Sequence, residues 1–435
     1  MKIPKTLPEL LGILCICSIF VDMAIRRVLP FDFYFYYPVF LLFLISMFST
    51  RGHIALPPRW FTLGFGLICV ASIFKLLETG LLGFEFWKQV FGIVFSAIVY
   101  YNVLYVFEFD VKRIFNYYLK FAYWVALFGI FDNILHIAGI HITKTIGEGF
   151  QYRAHSIMGE PFYLALALTP GIAYYMSYFK RTWREKKREF LALLLCYLIT
   201  YSSIAVAGLA LSVVFALYLN DFFDVRKNRL AFAPLLILPL VLLINFLIEN
   251  VELINARFND TTELFLSTEL QTREAGNVNS STFALYSNYI IARDSFLEDP
   301  LFGSGLGSHP LIYNATFLEY FPRSFLDKYG AQNQQDANSK FLRLMSETGL
   351  TGLVLFMTAF LGFFAPKKRV TTEPLKELAA INYAIFIYIL LCLIRNGNYI
   401  NVGFLLFFFM YYVTWKVIRR HGARPSAAFQ PTYEA

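Results

Sequence analysis

The sequence predicts an all-α, polytopic membrane helix bundle. It has about twelve transmembrane helices, both termini cytoplasmic, and one long periplasmic loop carrying amphipathic helices. Three observations predict this. Of the 435 residues, 57% are hydrophobic and only 16% charged, against about 45–50% and about 25% in a soluble domain. The apolar residues come in runs, and about 20 helical residues cross a bilayer. Basic residues recur in alternate short loops.

The spans fall near 10–25, 31–48, 60–78, 88–106, 118–138, 161–179, 189–202, 204–220, 231–249, 348–365, 377–394 and 400–418. Many of the 48 Phe and 28 Tyr lie near the ends of these runs, where an interfacial aromatic belt places them. The first run has no small-residue cleavage site and reads as a retained helix. Tyr201-Ser202-Ser203 interrupts the apolar pattern, so two short spans are expected there rather than one long helix.

Lys2 and Lys5, Arg51 and Arg59, Lys112 and Arg113, Lys180 to Arg188, Arg226 to Arg229, Lys367 to Arg369, and Lys416 to Arg420 fall in alternate loops. By the positive-inside rule these are cytoplasmic. That placement accounts for the net charge of +8 and removes a nucleic-acid reading. The chain then divides into helices one to nine (1–249), the long loop (250–347), helices ten to twelve (348–420) and a disordered cytoplasmic tail (421–435).

The loop is too long to be a mere connector. Residues 251–340 hold six Lys/Arg and eleven Asp/Glu, so the loop is net acidic. All five cysteines lie in apolar runs outside it. Ser281–Asp299 reads as an amphipathic helix with Tyr286, Ile290, Arg293 and Leu297 on one stripe, capped by Ser280 or Ser281. A glycine turn follows at Pro300–Gly307. Without a preceding strand this turn is not a dinucleotide loop. It is either a hinge or a close backbone approach to a diphosphate. A second amphipathic stretch, Asn338–Glu347, leads into the tenth span.

Arginines on this face are candidate phosphate ligands, because the guanidinium fork matches phosphate oxygens and stays charged. The candidates are Arg153, Arg273, Arg293, Arg343 and Arg395. A single arginine at a membrane edge also serves as a snorkelling anchor. The acid–base candidates are Glu160, His155 and Asp336, with His309 and Glu347 also on this face. Glu160, just before Pro161, also suits a helix cap. No His/Cys cluster has metal spacing, so neither a metal nor another cofactor is expected.

Four segments are similar to motifs of one family. They are Arg153-Ala-His-Ser-Ile-Met-Gly-Glu-Pro161, Ile199-Thr-Tyr-Ser-Ser203, Asp299-Pro-Leu-Phe-Gly-Ser-Gly-Leu-Gly307 and Ala337-Asn-Ser-Lys-Phe-Leu-Arg-Leu-Met-Ser-Glu-Thr-Gly-Leu-Thr-Gly352. In this order they resemble the O-antigen polymerase and ligase superfamily of bacterial membrane glycosyltransferases. The ligase branch carries a histidine where Asn338 stands and an arginine where Ser203 stands. Both departures point toward the O-antigen polymerase branch.

The resemblance implies an enzyme of the bacterial inner membrane with its site facing the periplasm. It would join polyprenyl-diphosphate-linked oligosaccharide repeat units of O-antigen or a related polysaccharide, with release of polyprenyl diphosphate. Its partners would be those lipid-linked units, the bilayer and a chain-length regulator. Arg153, Arg293, Arg343 and Arg395 would clamp the diphosphate, with Arg273 in reserve, and Glu160, His155 or Asp336 would be the base. The alternatives are an O-antigen ligase and a lipid-linked oligosaccharide flippase or other transporter. The absence of an inverted sequence repeat and the few charges within spans disfavour a transporter.

Overall fold

A computed structural model describes residues 6–26, 36–140, 142–143, 153–222 and 279–421, with the single positions 4, 255 and 259. All regular secondary structure among the described residues is helical. The helices are α1 (Leu7–Arg26), α2 (Tyr36–Arg51), α3 (Arg59–Glu78), α4 (Phe84–Val106), α5 (Val111–Ile137), α6 (Pro161–Ser177), α7 (Phe179–Glu185), α8 (Lys187–Leu198) and α9 (Ser203–Leu219). After them come α10 (Ser280–Glu298), α11 (His309–Tyr320), α12 (Arg323–Tyr329), α13 (Lys340–Gly362), α14 (Glu373–Arg395) and α15 (Phe404–His421).

Every expected span coincides with one of these helices except that near 231–249, which lies outside the described residues with the tail beyond 421. Among the described residues, α3, α4, α5, α13 and α14 are long and apolar enough to cross a membrane. The hairpin expected at Tyr201 is present, since α8 and α9 are separate helices.

The spans differ in how deeply they are packed. Of the most apolar window of α14, 78% is buried inside the protein, against 11% for α3. So α14 is the central mast of the bundle, packed by α6, α9, α13 and α15, and α3 stands at its margin. Pro170 interrupts α6, and the chain repairs the gap with a side chain. The Tyr118 hydroxyl donates to the Ala167 carbonyl at 2.6 Å and accepts from the Gly171 amide at 3.1 Å. In hydrocarbon such a repair is required, because no water is present to satisfy freed backbone groups.

The described part of the long loop forms a small helical cap. Phe283 of α10 stacks among Phe317, Phe321, Phe325 and Tyr329 at centroid distances of 5.0–6.3 Å. This aromatic core holds the cap without a disulfide, as expected of a cysteine-free loop.

Helix α10 departs from its expected reading in two respects. Its cap is Asn279, whose side chain accepts from the Ser281 amide at 3.1 Å, and not Ser280 or Ser281. Its buried face is Ala284, Ser287, Asn288, Ile291 and Ser295, while Arg293 and Leu297 are exposed. A face this small and polar does not stand out in an apolar pattern.

The glycine turn has a structural purpose. Helix α13 breaks at Gly349, which sits at φ 57°, ψ −155°. The turn docks on that break. Ser304 and Gly305 amides donate to the Ser346 and Glu347 carbonyls at 2.9 Å each, and Leu350 and Thr351 amides donate to Pro300 and Leu301 at 2.8 and 3.0 Å. The Leu306 amide donates to Ser72 Oγ of α3 at 3.0 Å. These donors are engaged within the protein and are not available to a diphosphate.

Candidate functional site

Two crossing backbones build the loop-side end of α13 and α14. At Gly397, a Cβ atom would lie 1.4 Å from the Asp336 carbonyl oxygen, so only glycine lets the segments touch. Their contact gathers residues distant in sequence: Asp336, Lys340, Arg343 and Glu347 from one side, Arg395 and Tyr399 from the other.

Arg343 is the centre of this group, with 1% of its surface exposed. Its Nε donates to Glu347 Oε1 at 3.0 Å, and its Nη1 reaches the Gly397 carbonyl at 3.4 Å. The guanidinium lies 4.5 Å from the Tyr399 ring centroid. The Tyr399 hydroxyl donates to Glu347 Oε2 at 3.0 Å, so both carboxylate oxygens are occupied. Glu347 therefore positions the arginine. Nη2 of Arg343 is buried and has no hydrogen-bond partner among the described residues. A buried donor left in this state is costly, and an anion beside it removes the cost.

Arg395 closes the group on the cap side. Its Nη2 donates to Ser281 Oγ at 2.8 Å. With the Asn338 amide oriented to suit its neighbours, Asn338 Oδ1 accepts from Arg395 Nη1 and from the Leu285 amide, both at 3.2 Å. Asn338 is thus a tether between cap and bundle. Asp336 Oδ1 accepts from the Asn338 amide at 3.1 Å. Loss of water around the Asp336 carboxyl pushes it above the ordinary carboxylate range, against the pull of Arg343, Lys340 and Arg395. Such a carboxyl is a better proton acceptor than a solvated one.

The other expected residues lie elsewhere. Arg153 Nε donates to the Thr200 carbonyl at 2.9 Å, and the Ala154 amide donates to Ile199 at 2.9 Å, which docks 153–160 on the α8–α9 turn. His155 is buried, with Nδ1 2.9 Å from the Ser156 carbonyl. A carbonyl only accepts, so Nδ1 carries a proton. Glu160 stands at the N-cap of α6, but its side chain makes no capping hydrogen bond. Arg293 is exposed and paired with its neighbour Asp294 at 2.6 Å. Arg273 lies outside the described residues.

His309 is fully buried beneath the site. Asn288 Nδ2 donates to the Ala284 carbonyl at 2.6 Å, which turns its Oδ1 toward His309 Nε2 at 2.9 Å. Nε2 then carries the proton, and Nδ1 accepts from the Ser346 hydroxyl at 3.1 Å. Burial, then the nearby Arg343, lowers this imidazole from an ordinary 6.5 to about 3, so it is a neutral structural group.

The unfolded chain takes up this proton below about 6.5 and the folded chain only near 3. Stability is therefore full above pH 6.5 and falls as the pH drops through that window. At pH 5.5 the loss is about 1 kcal/mol relative to pH 7.5. His309→Gln should flatten this dependence, read from thermal unfolding in detergent across that pH range. An unchanged slope in the variant would place the acid sensitivity elsewhere.

Lys340 and Tyr399 did not stand out in the sequence. The signal available was the spacing: Lys340, Arg343 and Glu347 lie at i, i+3 and i+7, one helix face leading into a span. Among the described residues no cluster of three or more His, Cys, Asp or Glu could hold a metal. In comparisons with known proteins, residues 190–357 match the model of a family described as O-Antigen ligase. No curated protein and no solved structure matches the chain.

Proposed function

The O-antigen ligase domain at residues 190–357 supports membership of the O-antigen polymerase and ligase superfamily, and from that premise we propose that the chain polymerises lipid-linked oligosaccharide repeat units. The single observation that carries the chemistry is the buried Arg343 with its unfilled Nη2, backed by Arg395 and facing Asp336. In glycosyl transfer from a polyprenyl diphosphate, negative charge grows on the leaving diphosphate. Fixed cations in a site with little water stabilise that charge best.

In this reading the acceptor sugar hydroxyl loses its proton to Asp336 and its oxygen bonds to the donor's anomeric carbon. The bond from that carbon to the diphosphate breaks, and the electron pair leaves with polyprenyl diphosphate beside Arg343. Asp336 is the one of the three base candidates gathered with Arg343 and Arg395. The site faces the periplasm of the inner membrane, following the basic loops on the opposite end. The tether role of Asn338, where the ligase branch has histidine, supports polymerase over ligase.

The test is the surface glycan of a deletion strain, read on a gel. Core bearing one repeat unit supports a polymerase. Lipid-linked polymer that never reaches the core identifies a ligase, and repeat units trapped on the inner face identify a flippase; either would overturn the proposal.

A further inference from the structure

An apolar cleft of about 150 Å³ begins at this site and runs along α13. Lys340, Leu344 and Thr348 line it before the break at Gly349, and Gly352 and Phe356 after it. Phe61, Gly64 and Ile68 of α3 form the opposite wall, and Phe404 and Phe408 of α15 the floor. The Thr348 hydroxyl is spent on the Leu344 carbonyl at 2.6 Å, so below Lys340 the cleft offers hydrocarbon contact. Its α3 wall is the least buried of the five long spans, which leaves that side open to surrounding lipid.

The head of the cleft holds a basic side chain. Lys340 is fully buried. Its Nζ donates to the Asn398 carbonyl and lies 4.1 Å from the Phe404 ring centroid and 5.3 Å from that of Tyr399. It forms no ion pair among the described residues. Arg343, one turn further on, has the unfilled Nη2. A buried cation without a counter-charge is unfavourable, and here Lys340 adjoins the mouth of a hydrocarbon slot beside the Glu347-paired Arg343. The matching ligand has an anionic head with at least two acceptor groups and a long apolar tail.

We propose that the cleft between α3, α13 and α15 seats the isoprenoid tail of the lipid-diphosphate donor, and that the Lys340 ammonium binds a phosphate oxygen where head meets tail. This rests on the polymerase reading for the identity of the lipid. The occupant is the donor, because Tyr399 lines the cleft and its ring lies 4.5 Å from the Arg343 guanidinium, where the leaving diphosphate departs. Lys340 then supplies a point charge beside the guanidinium fork, and the aromatic rings around it hold the ammonium by their faces.

Two glycines of α3 give a matched test. A Cβ at Gly64 meets nothing within 4 Å, and the same holds at Gly66, which does not line the cleft. Full-length protein in detergent is titrated with undecaprenyl diphosphate and, separately, inorganic diphosphate, with binding read by native mass spectrometry. Gly64→Leu should weaken undecaprenyl diphosphate at least tenfold and leave inorganic diphosphate unchanged. Gly66→Leu should change neither. Lys340→Met should weaken both tenfold or more, and Lys340→Arg should restore most of that loss.

A Gly64→Leu protein that binds undecaprenyl diphosphate as wild type does would overturn the cleft and leave the polymerase reading standing. Phosphatidylglycerol competing with equal affinity would make the cleft a general lipid groove and overturn the proposal in the same way. A Lys340→Met protein with wild-type affinity for both probes would overturn the role of the lysine. Wild-type protein that binds no undecaprenyl diphosphate would sink the polymerase reading as well.

Discussion

Arg343→Ala is expected to leave cells with single repeat units and no ladder of polymer, with turnover reduced about 10²–10³-fold, the effect of removing one fixed group that stabilises developing negative charge. The size follows from placement. The guanidinium is out of water, its Nε is locked to Glu347 at 3.0 Å, and no reorientation is needed as charge develops. Lysine should not replace it well, because an ammonium lacks the fork that serves Glu347 and a phosphate oxygen together.

Glu347→Ala separates folding from chemistry. It strands a buried cation and should cost about 3–5 kcal/mol of stability, seen as reduced membrane abundance and a lower unfolding midpoint. Arg343→Ala read for polymer at matched abundance is the decisive measurement. Full-length polymer from that variant would exclude the arginine from the reaction.

Gly349→Ala should be the most damaging change outside the site. A Cβ there would lie 2.6 Å from the Gly303 amide nitrogen and 2.7 Å from the Leu301 carbonyl carbon, at a φ of +57°. Backbone strain of about 1–3 kcal/mol and overpacking of about 1–3 kcal/mol add to roughly 2–6 kcal/mol. The approach is as close from the other side, where a Cβ at Gly303 would lie 2.6 Å from the Ser346 oxygen and 2.7 Å from the Gly349 nitrogen. The check is the unfolding midpoint in detergent together with abundance in membranes. A variant with the wild-type midpoint would show that the break is tolerant and the turn incidental.

The spans were legible because burial in lipid is written along the chain. Each span needs a run of apolar residues, whatever it packs against, so hydropathy located α1 to α6, α8, α9 and α13 to α15. Helix α10 was legible as a helix but not in its orientation. Ala284, Ser287, Asn288 and Ser295 pack because they are small or hydrogen-bonded, and neither property makes an apolar stripe.

The site was legible in part for a different reason. Arg343, Arg395 and Asp336 carry charge beside a membrane, which marks them individually, and the structure places them together. Their meeting point at Gly397 is a contact across some sixty residues of chain, and nothing in local sequence encodes it. Tyr399 is one of 28 tyrosines and became visible only under the guanidinium it holds. Lys340 reads locally as a membrane-edge anchor, and only the packing of α3 and α15 around it shows that it is sealed from water.

The break at Gly349 also sets an order of assembly. Four amide–carbonyl pairs across it are completed by residues 300–305, which precede α13 in synthesis and must reach the loop side of the membrane before α13 can settle. A half-inserted α13 without its turn would expose unpaired backbone to hydrocarbon, so translocation of the loop and burial of the helix become one cooperative event. Hydrogen exchange gives the signature. The amides of Ser304, Gly305, Leu350 and Thr351 should exchange together as a single unit, whereas independent rates would show two separately stable pieces. In such a unit the loop turn and α13 form one structural piece, held by the same hydrogen bonds that shape the helix.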